Sequence, residues 1–189
     1  MRFRVQAAHN LLDEAFGASA PDVVARDLVL PLFERLEAAG DPAVVRFAAS
    51  LFEIRLLAQA GGWDRIDGPL VVLACAPREE RTVGLIGLGL ALAARHCRVA
   101  YLGAMTPVRT LQAAVHEQDV ALTILSAERD DLDADERAGL RMLYLLLIGR
   151  AAEPLAASLG AAVVSPDGVR AAQLAHERSP YRDDAASPP

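Results

Sequence analysis

The chain has 189 residues, of which 53% are hydrophobic and 23% charged, and its formal net charge is −6. This composition suits one α/β domain with a smaller helical partner and excludes two large domains. No basic block is present, so we expect no direct contact with nucleic acid. The longest apolar run, residues 83–94, is about half the length that spans a bilayer, so we expect no membrane insertion and a cytoplasmic protein.

Residues 1–62 predict a bundle of three helices. Pro21 opens the second helix, and the third begins with Asp41 as its N-cap and Pro42 at its first helical position. The following segment, 63–69, is rich in Gly, Asp and Pro, which is typical of a linker.

From residue 70 onward, short apolar runs alternate with helical patterns. This alternation predicts a doubly wound, five-stranded parallel sheet in a Rossmann-like domain over 70–180. The polar, Pro-rich tail, 181–189, is predicted to be disordered. The predicted strands are 70–75, 98–102, 120–126, 144–148 and 161–165. The predicted helices of this domain are 80–96, 107–118, 133–143, 151–159 and 167–178.

The loop after the first predicted strand holds four consecutive charged side chains, at residues 78–81. In such sheets, ligands bind at the carboxyl ends of the strands. Arg78 and Arg81 could form bidentate pairs with the carboxylates of a ligand. Alternatively, they neutralise Glu79 and Glu80 at a solvated helix start.

Small residues flank this loop. Cys75 ends the first strand and could attach a ligand covalently or fill the core as a small apolar residue. Gly84, Gly87 and Gly89 follow in a GxxGxG order that is not a dinucleotide fingerprint. We expect them to allow close packing of the helix on the sheet, or the approach of a flat ligand.

The sequence carries no recognisable catalytic or metal-binding pattern. It lacks a Gly-x-Ser-x-Gly elbow, a phosphate-binding loop and a pair of catalytic carboxylates, so we expect no enzymatic activity. The four histidines lie outside the predicted ligand loops and have no metal-type spacing. They are His9, His96, His116 and His176.

Glu79, Arg81 and Gly84 are spaced as in an acid-x-His-x-x-Gly signature, with arginine in place of the histidine. Three other stretches are informative: LVLPLFERL at 28–36, YLGAMTP at 101–107 and LSAER at 125–129. With these features, roughly residues 20–178 resemble the cobalamin-binding region of MerR-type photoreceptor repressors. The resemblance implies a tetrapyrrole-binding sensory domain, in which a helical bundle precedes a Rossmann-like sheet.

The family's ligand-binding residues are altered at several positions. Arg81 replaces the histidine that ligates cobalt, and a guanidinium has no lone pair to offer. Arg46 stands at the position of the upper-face histidine. Ser126 lacks the leucine of the family's Ser-x-Leu motif, and the Gly-Gly motif is reduced to Gly149-Arg150.

Arginines that face a pocket from both layers favour an anionic ligand without cobalt. We therefore expect a linear tetrapyrrole such as biliverdin, in a light-responsive domain that signals through a protein partner or a homo-oligomer. The residues expected to bind it are Arg46, Arg78, Arg81 and Arg150 at the propionates, and Cys75, Tyr101 and Met105 around the ring.

Two other interpretations remain open. Cobalamin could bind with its own benzimidazole on the cobalt and no protein ligand, or the chain could be a ligand-free interaction module. In a further alternative, Arg46 and Arg81 lie at the edge of the domain and pair with Glu53, Glu79 or Glu80.

Overall fold

A layer of helices precedes a parallel sheet in the computed structural model, which describes residues 5–179. The π-helical segment Ala25–Val29 joins α2 to α3, and Trp63–Arg65 forms a 3-10 turn. The helices are α1 (Val5–Ala18), α2 (Pro21–Val24), α3 (Leu30–Ala39), α4 (Pro42–Gln59), α5 (Val83–Ala93), α6 (Val108–His116), α7 (Ala134–Leu140), α8 (Ala152–Leu159) and α9 (Val169–Arg178). The strands are β1 (Leu70–Cys75), β2 (Arg98–Gly103), β3 (Val120–Ser126), β4 (Leu145–Ile148) and β5 (Ala162–Val163).

The five strands are parallel and lie in the order β2-β1-β3-β4-β5. The predicted doubly wound α/β fold is therefore confirmed. The strand order reverses between β1 and β3, which is the switch point where ligands bind in sheets of this kind. Cys75 pairs in register with Ser126, and Ser126 with Ile148, so β1, β3 and β4 end at the same level.

Helix α5 accounts for the longest apolar run of the sequence. It packs on the sheet through Leu85, Leu88 and Leu92, and on the helical layer through Ile86 and Leu90. A helix that is apolar on all sides is stable in water only when both faces are covered, as here. Within residues 5–179, no helix is long and apolar enough to cross a membrane.

Capping residues start α4 where the sequence predicts. The carboxylate of Asp41 accepts the N–H groups of Ala43 at 3.0 Å and Val44 at 3.3 Å, and Pro42 occupies the first turn. Gly40 ends the preceding helix with a φ of 75°, which is unfavourable for residues with a side chain. The tight turn between α3 and α4 brings both helices to the same edge of the sheet.

Two segments of the Rossmann-like domain differ clearly from the predicted boundaries. Helix α5 begins at Val83 instead of residue 80, because the side chain of Glu79 holds the backbone of Arg81 in a non-helical loop. Strand β5 is only two residues long and exposed. The predicted tail, 181–189, lies outside the described residues, as do residues 1–4.

The segment predicted to be a linker contacts the core through its tryptophan. The rings of Trp63 and Tyr101 lie 5.8 Å apart. A Cβ on Gly89 would come within 2.5 Å of Trp63 and 3.1 Å of Leu73, so this glycine allows α5 to pack closely between them. The close-packing role expected for Gly89 is therefore confirmed.

Candidate ligand-binding site

Three adjoining cavities lie at the carboxyl edge of the sheet, beneath the helical layer. Arg81 and Arg150 line all three, so the cavities meet at these two side chains.

The inner groove, about 330 Å³, lies between α3, the start of α5 and the ends of β3 to β5. Its lining includes Leu30, Phe33, Gly84, Ser126, Gly149 and Val164. The upper cleft, about 540 Å³, separates the helical layer from the loop after β1; its lining includes Val45, Arg46, Glu53, Glu80 and Thr82. The outer pocket, about 460 Å³, includes Arg78, Glu79 and Arg129.

Two arginines and two glutamates form an arginine–glutamate cluster where the cavities meet. Arg150 donates to Glu37 at 2.5 Å, and its Nε lies 3.4 Å from Glu128. Arg81 donates to Glu128 at 3.3 Å and lies 3.4 Å from Glu37. The cluster joins α3 to the loops after β1, β3 and β4. Its two positive and two negative charges cancel.

Arg78 also has carboxylate partners within the chain. Its guanidinium donates to both carboxylate oxygens of Glu136, at 3.0 and 2.7 Å, and to the backbone oxygen of Asp131 at 2.5 Å. The hydrogen bond from Arg78 is the main cause that lowers the pKa of Glu136, and the same bond raises the pKa of Arg78. Three of the four arginines expected at ligand propionates are therefore paired within the protein.

Arg46 differs from the other three arginines. It is exposed on α4, lines the upper cleft, and has no ion-pair partner among residues 5–179. The alternative in which Arg81 pairs with Glu53, Glu79 or Glu80 named other partners than those observed. Arg81 pairs with Glu37 and Glu128, which lie far from it in the sequence.

Glu79 is buried and holds three loops together. Its carboxylate accepts the backbone N–H of Arg81 at 2.8 Å and that of Glu128 at 3.1 Å. Its backbone oxygen accepts the N–H of Met105 at 2.8 Å. The acid of the sequence signature therefore fixes the loops after β1, β2 and β3 around the cavities.

Gly84 and Ser126 leave unfilled space in the inner groove. A Cβ on Gly84 would have no neighbour within 4 Å, although Gly84 lies in a helix. Ser126 is only 4% exposed and lines the groove with its hydroxyl-bearing side chain. A hydroxyl can both donate and accept a hydrogen bond, so this wall of the groove is suited to a polar ligand group.

Gly149 is required by the backbone. Its φ is 100°, and a Cβ there would come within 2.3 Å of the backbone oxygen of Ala127. The next residue, Arg150, lines the groove and pairs with Glu37.

None of the residues expected around a ring lines any of the three cavities. These residues are Cys75, Tyr101 and Met105. Burial raises the pKa of the Cys75 thiol to about 12, and this thiol donates to the backbone oxygen of Arg81 at 3.4 Å. Burial likewise raises the pKa of Tyr101 to about 12. Met105 is 52% exposed at the loop after β2.

The sequence analysis missed Glu37 and Glu128, which complete the cluster. Glu37 follows Leu30, Phe33 and Glu34 at helical spacing, and all four line the inner groove. That periodicity could have placed Glu37 on the inward face of α3. No group of three or more His, Cys, Asp or Glu side chains between residues 5 and 179 could hold a metal ion.

Comparisons with known proteins rest on structure alone, since no family model and no curated protein match the sequence. The monomethylamine corrinoid protein of Methanosarcina barkeri superposes with a TM-score of 0.66 at 15% identity, over 89% of this chain and 89% of that chain. The chain has the fold of this corrinoid protein. The cobalamin-binding fold expected from the resemblance is therefore confirmed.

Two further solved structures match with lower scores. A cobalamin-binding protein from Desulfitobacterium hafniense DCB-2 has a TM-score of 0.45 at 18% identity, over 89% of this chain and 90% of that chain. A methanol:cobalamin methyltransferase complex from Methanosarcina barkeri has a TM-score of 0.49 at 16% identity, over 86% of this chain and 72% of that chain.

Proposed function

We propose that the chain is a corrinoid-binding sensory domain that holds cobalamin without a cobalt ligand from the loop after β1. The ring lies in the upper cleft, and the nucleotide tail enters the inner groove. The observation that carries this proposal is the open wall of the inner groove at Gly84, where a helical residue leaves space that a ligand can fill.

The glycine itself supports an occupant of the groove. Glycine in a helix costs about 0.5–1 kcal/mol relative to alanine. A Cβ at position 84 would have no neighbour within 4 Å, so packing against the protein does not require a glycine there. Close approach of a ligand gives the glycine a physical reason, and the nearby hydroxyl of Ser126 offers the tail a hydrogen bond.

The charges around the cavities support a ligand with a neutral rim. The upper cleft and inner groove are lined by more carboxylates than guanidinium groups. Cobalamin carries carboxamides around its ring, which can donate to carboxylates and accept from arginines. A dianionic ligand would have to compete with carboxylates for Arg81 and Arg150. The lining carboxylates are Glu34, Glu37, Glu53, Glu80 and Glu128, and the lining arginines are Arg46, Arg81 and Arg150.

The residues present fit the ring and tail of a corrinoid but supply no axial ligand from the signature loop. Arg81 cannot donate a lone pair, and the thiol of Cys75 is buried and protonated. A bound corrinoid would supply a coloured cobalt centre whose absorption reports its axial ligands. Here Arg81 and Arg150 would cover the edge of the ligand and hold it beneath the helical layer.

A linear tetrapyrrole such as biliverdin is the second candidate, and one observation favours it. Arg46 lines the upper cleft without an ion-pair partner among the described residues, so its guanidinium is available to one propionate. With either ligand, the proposed role is binding and light-dependent signalling through a protein partner or a dimer, without catalysis.

Substitution of Gly84 by leucine tests the placement of the tail. Gly84→Leu should weaken cobalamin binding by at least about tenfold, because the side chain would fill the groove. Cobinamide, which lacks the nucleotide tail, should bind with nearly unchanged affinity. The control variant Gly17→Leu changes another helical glycine with open space around it, far from the cavities. Equal binding of cobalamin by Gly84→Leu and wild type would refute the tail placement. A spectrum of the wild-type complex in which the benzimidazole is still bound to the cobalt would refute it as well.

A further inference from the structure

Glu37 occupies the junction of the inner groove and the upper cleft. It is the last of four residues on the inward face of α3, and it lines both cavities. Its side chain is 11% exposed, whereas Arg81 and Arg150, which lie against it, are 46% and 59% exposed. The carboxylate is therefore fixed within the protein, while the two guanidinium groups can be displaced outward.

The two oxygens of this carboxylate are not equally satisfied. Oε2 accepts a hydrogen bond from Arg150 at 2.5 Å. Oε1 is buried and has no hydrogen bond among the described residues. Arg81 Nη1 lies 3.4 Å from Oε1, which is an ion-pair contact without hydrogen-bond geometry. A buried carboxylate oxygen without a donor is unfavourable, so this position is suited to an additional N–H group.

The surrounding groups determine which ligand group can provide that N–H. Glu34 lines the same groove, and Glu128 shares both arginines with Glu37. A ligand carboxylate placed here would meet several carboxylates, which disfavour another negative charge. A carboxamide has no charge and two N–H donors, so it can satisfy Oε1 without repulsion.

We propose that Glu37 is a specificity-determining residue that accepts a ligand carboxamide and selects amide-rimmed rings over carboxylate-rimmed rings. This inference rests on the proposed function, because it assigns a role within the same cleft. An entering ring displaces the guanidinium of Arg81 from Oε1, and one rim amide takes its place.

Two corrinoids that differ only at the rim and tail test this selectivity. Dicyanocobinamide carries carboxamides, and dicyanocobyrinic acid carries carboxylates; cyanide fills both axial positions, so cobalt ligation is the same. The wild-type protein should bind dicyanocobinamide at least about tenfold more tightly, as for a hydrogen bond to a charged group. Glu37→Gln should reduce this ratio to below about threefold. Equilibrium dialysis measures both affinities.

A matched variant separates the contact from the general charge of the cavity. Glu34→Gln removes one negative charge from the same groove and the same helix but no acceptor at the proposed contact, so it should lower the ratio by much less than Glu37→Gln does. Thermal unfolding establishes that each variant is folded. If Glu37→Gln does not fold, Glu37→Asp replaces it; the shorter side chain should lower cobinamide affinity by several-fold while the preference for amides is retained.

The possible outcomes distinguish this inference from the proposed function. Wild-type protein that binds cobinamide with a ratio unchanged by Glu37→Gln overturns the role of Glu37 and leaves the corrinoid site standing. Unchanged cobinamide affinity in Glu37→Asp has the same meaning. Failure of the wild-type protein to bind either corrinoid overturns both.

Discussion

The carboxylate of Glu79 accepts the backbone N–H of Glu128 at 3.1 Å, although 49 positions separate the two residues in the sequence. The same carboxylate accepts the N–H of Arg81 at 2.8 Å. One buried side chain therefore fixes the loops on either side of the switch point between β1 and β3. The cavities depend on this position, because Arg81 and Glu128 both belong to the arginine–glutamate cluster.

Removal of this carboxylate should destabilise the protein. Glu79→Ala leaves two backbone N–H groups without their acceptor, which should lower the free energy of unfolding by about 2–4 kcal/mol. The exposed neighbour provides the control, since Glu80→Ala should change it by less than about 0.5 kcal/mol. Urea unfolding measures both. Equal stability of the two variants would show that Glu79 does not hold the loops.

Gly149 should tolerate alanine less well than another glycine with a positive φ. A Cβ at position 149 would collide with the backbone oxygen of Ala127 at 2.3 Å, whereas a Cβ at Gly160 has no neighbour within 4 Å. Gly149→Ala should therefore lower the free energy of unfolding by about 1–3 kcal/mol more than Gly160→Ala. Chemical denaturation measures the free energy of unfolding of both variants. Equal decreases in the two variants would contradict this account.

The pKa of Glu136 should depend on Arg78. Because Arg78 lowers this pKa in the folded state, charged Glu136 adds stability above its ordinary pKa, and this stability is lost as the pH falls through the folded pKa. In Arg78→Gln, the pKa should rise toward its ordinary value, and the loss of stability in acid should be less steep. NMR titration of the carboxyl carbon measures the pKa. Arg129→Gln, which removes a neighbouring charge with no bond to Glu136, should leave it unchanged.

The two cysteines should be unreactive in the native protein. Burial raises the pKa of Cys75 to about 12 and that of Cys97 to about 11, so both thiols remain protonated at neutral pH. Iodoacetamide should label neither residue before unfolding and both after it. A covalent bilin adduct at Cys75, detected by mass spectrometry, would contradict this expectation.

Much of the fold could be predicted from local patterns. The apolar run of β1 predicts a buried parallel strand, and Asp41 with Pro42 predicts the start of α4; both predictions agree with the structure. The start of α5 was predicted three residues early, because the bond from Arg81 N–H to Glu79 depends on a loop conformation that sequence spacing does not reveal.

The candidate site was harder to predict because its charges are paired over long distances in the sequence. Arg150 pairs with Glu37 across 113 positions, and Arg78 with Glu136 across 58. The arginines were correctly expected near the carboxyl edge of the sheet. Sequence alone could not reveal that three of them already have carboxylate partners. Because of this pairing, we favour cobalamin, whose rim is neutral, over the dianion biliverdin.

Binding of cobalamin by the wild-type protein tests the central claim most directly. The protein is incubated in the dark with hydroxocobalamin or with biliverdin, separated from free ligand by gel filtration, and examined by absorption spectroscopy. We predict that cobalamin elutes with the protein and shows the spectrum of the form in which the benzimidazole has left the cobalt. Elution of the protein without cobalamin, or with biliverdin alone, would contradict the claim.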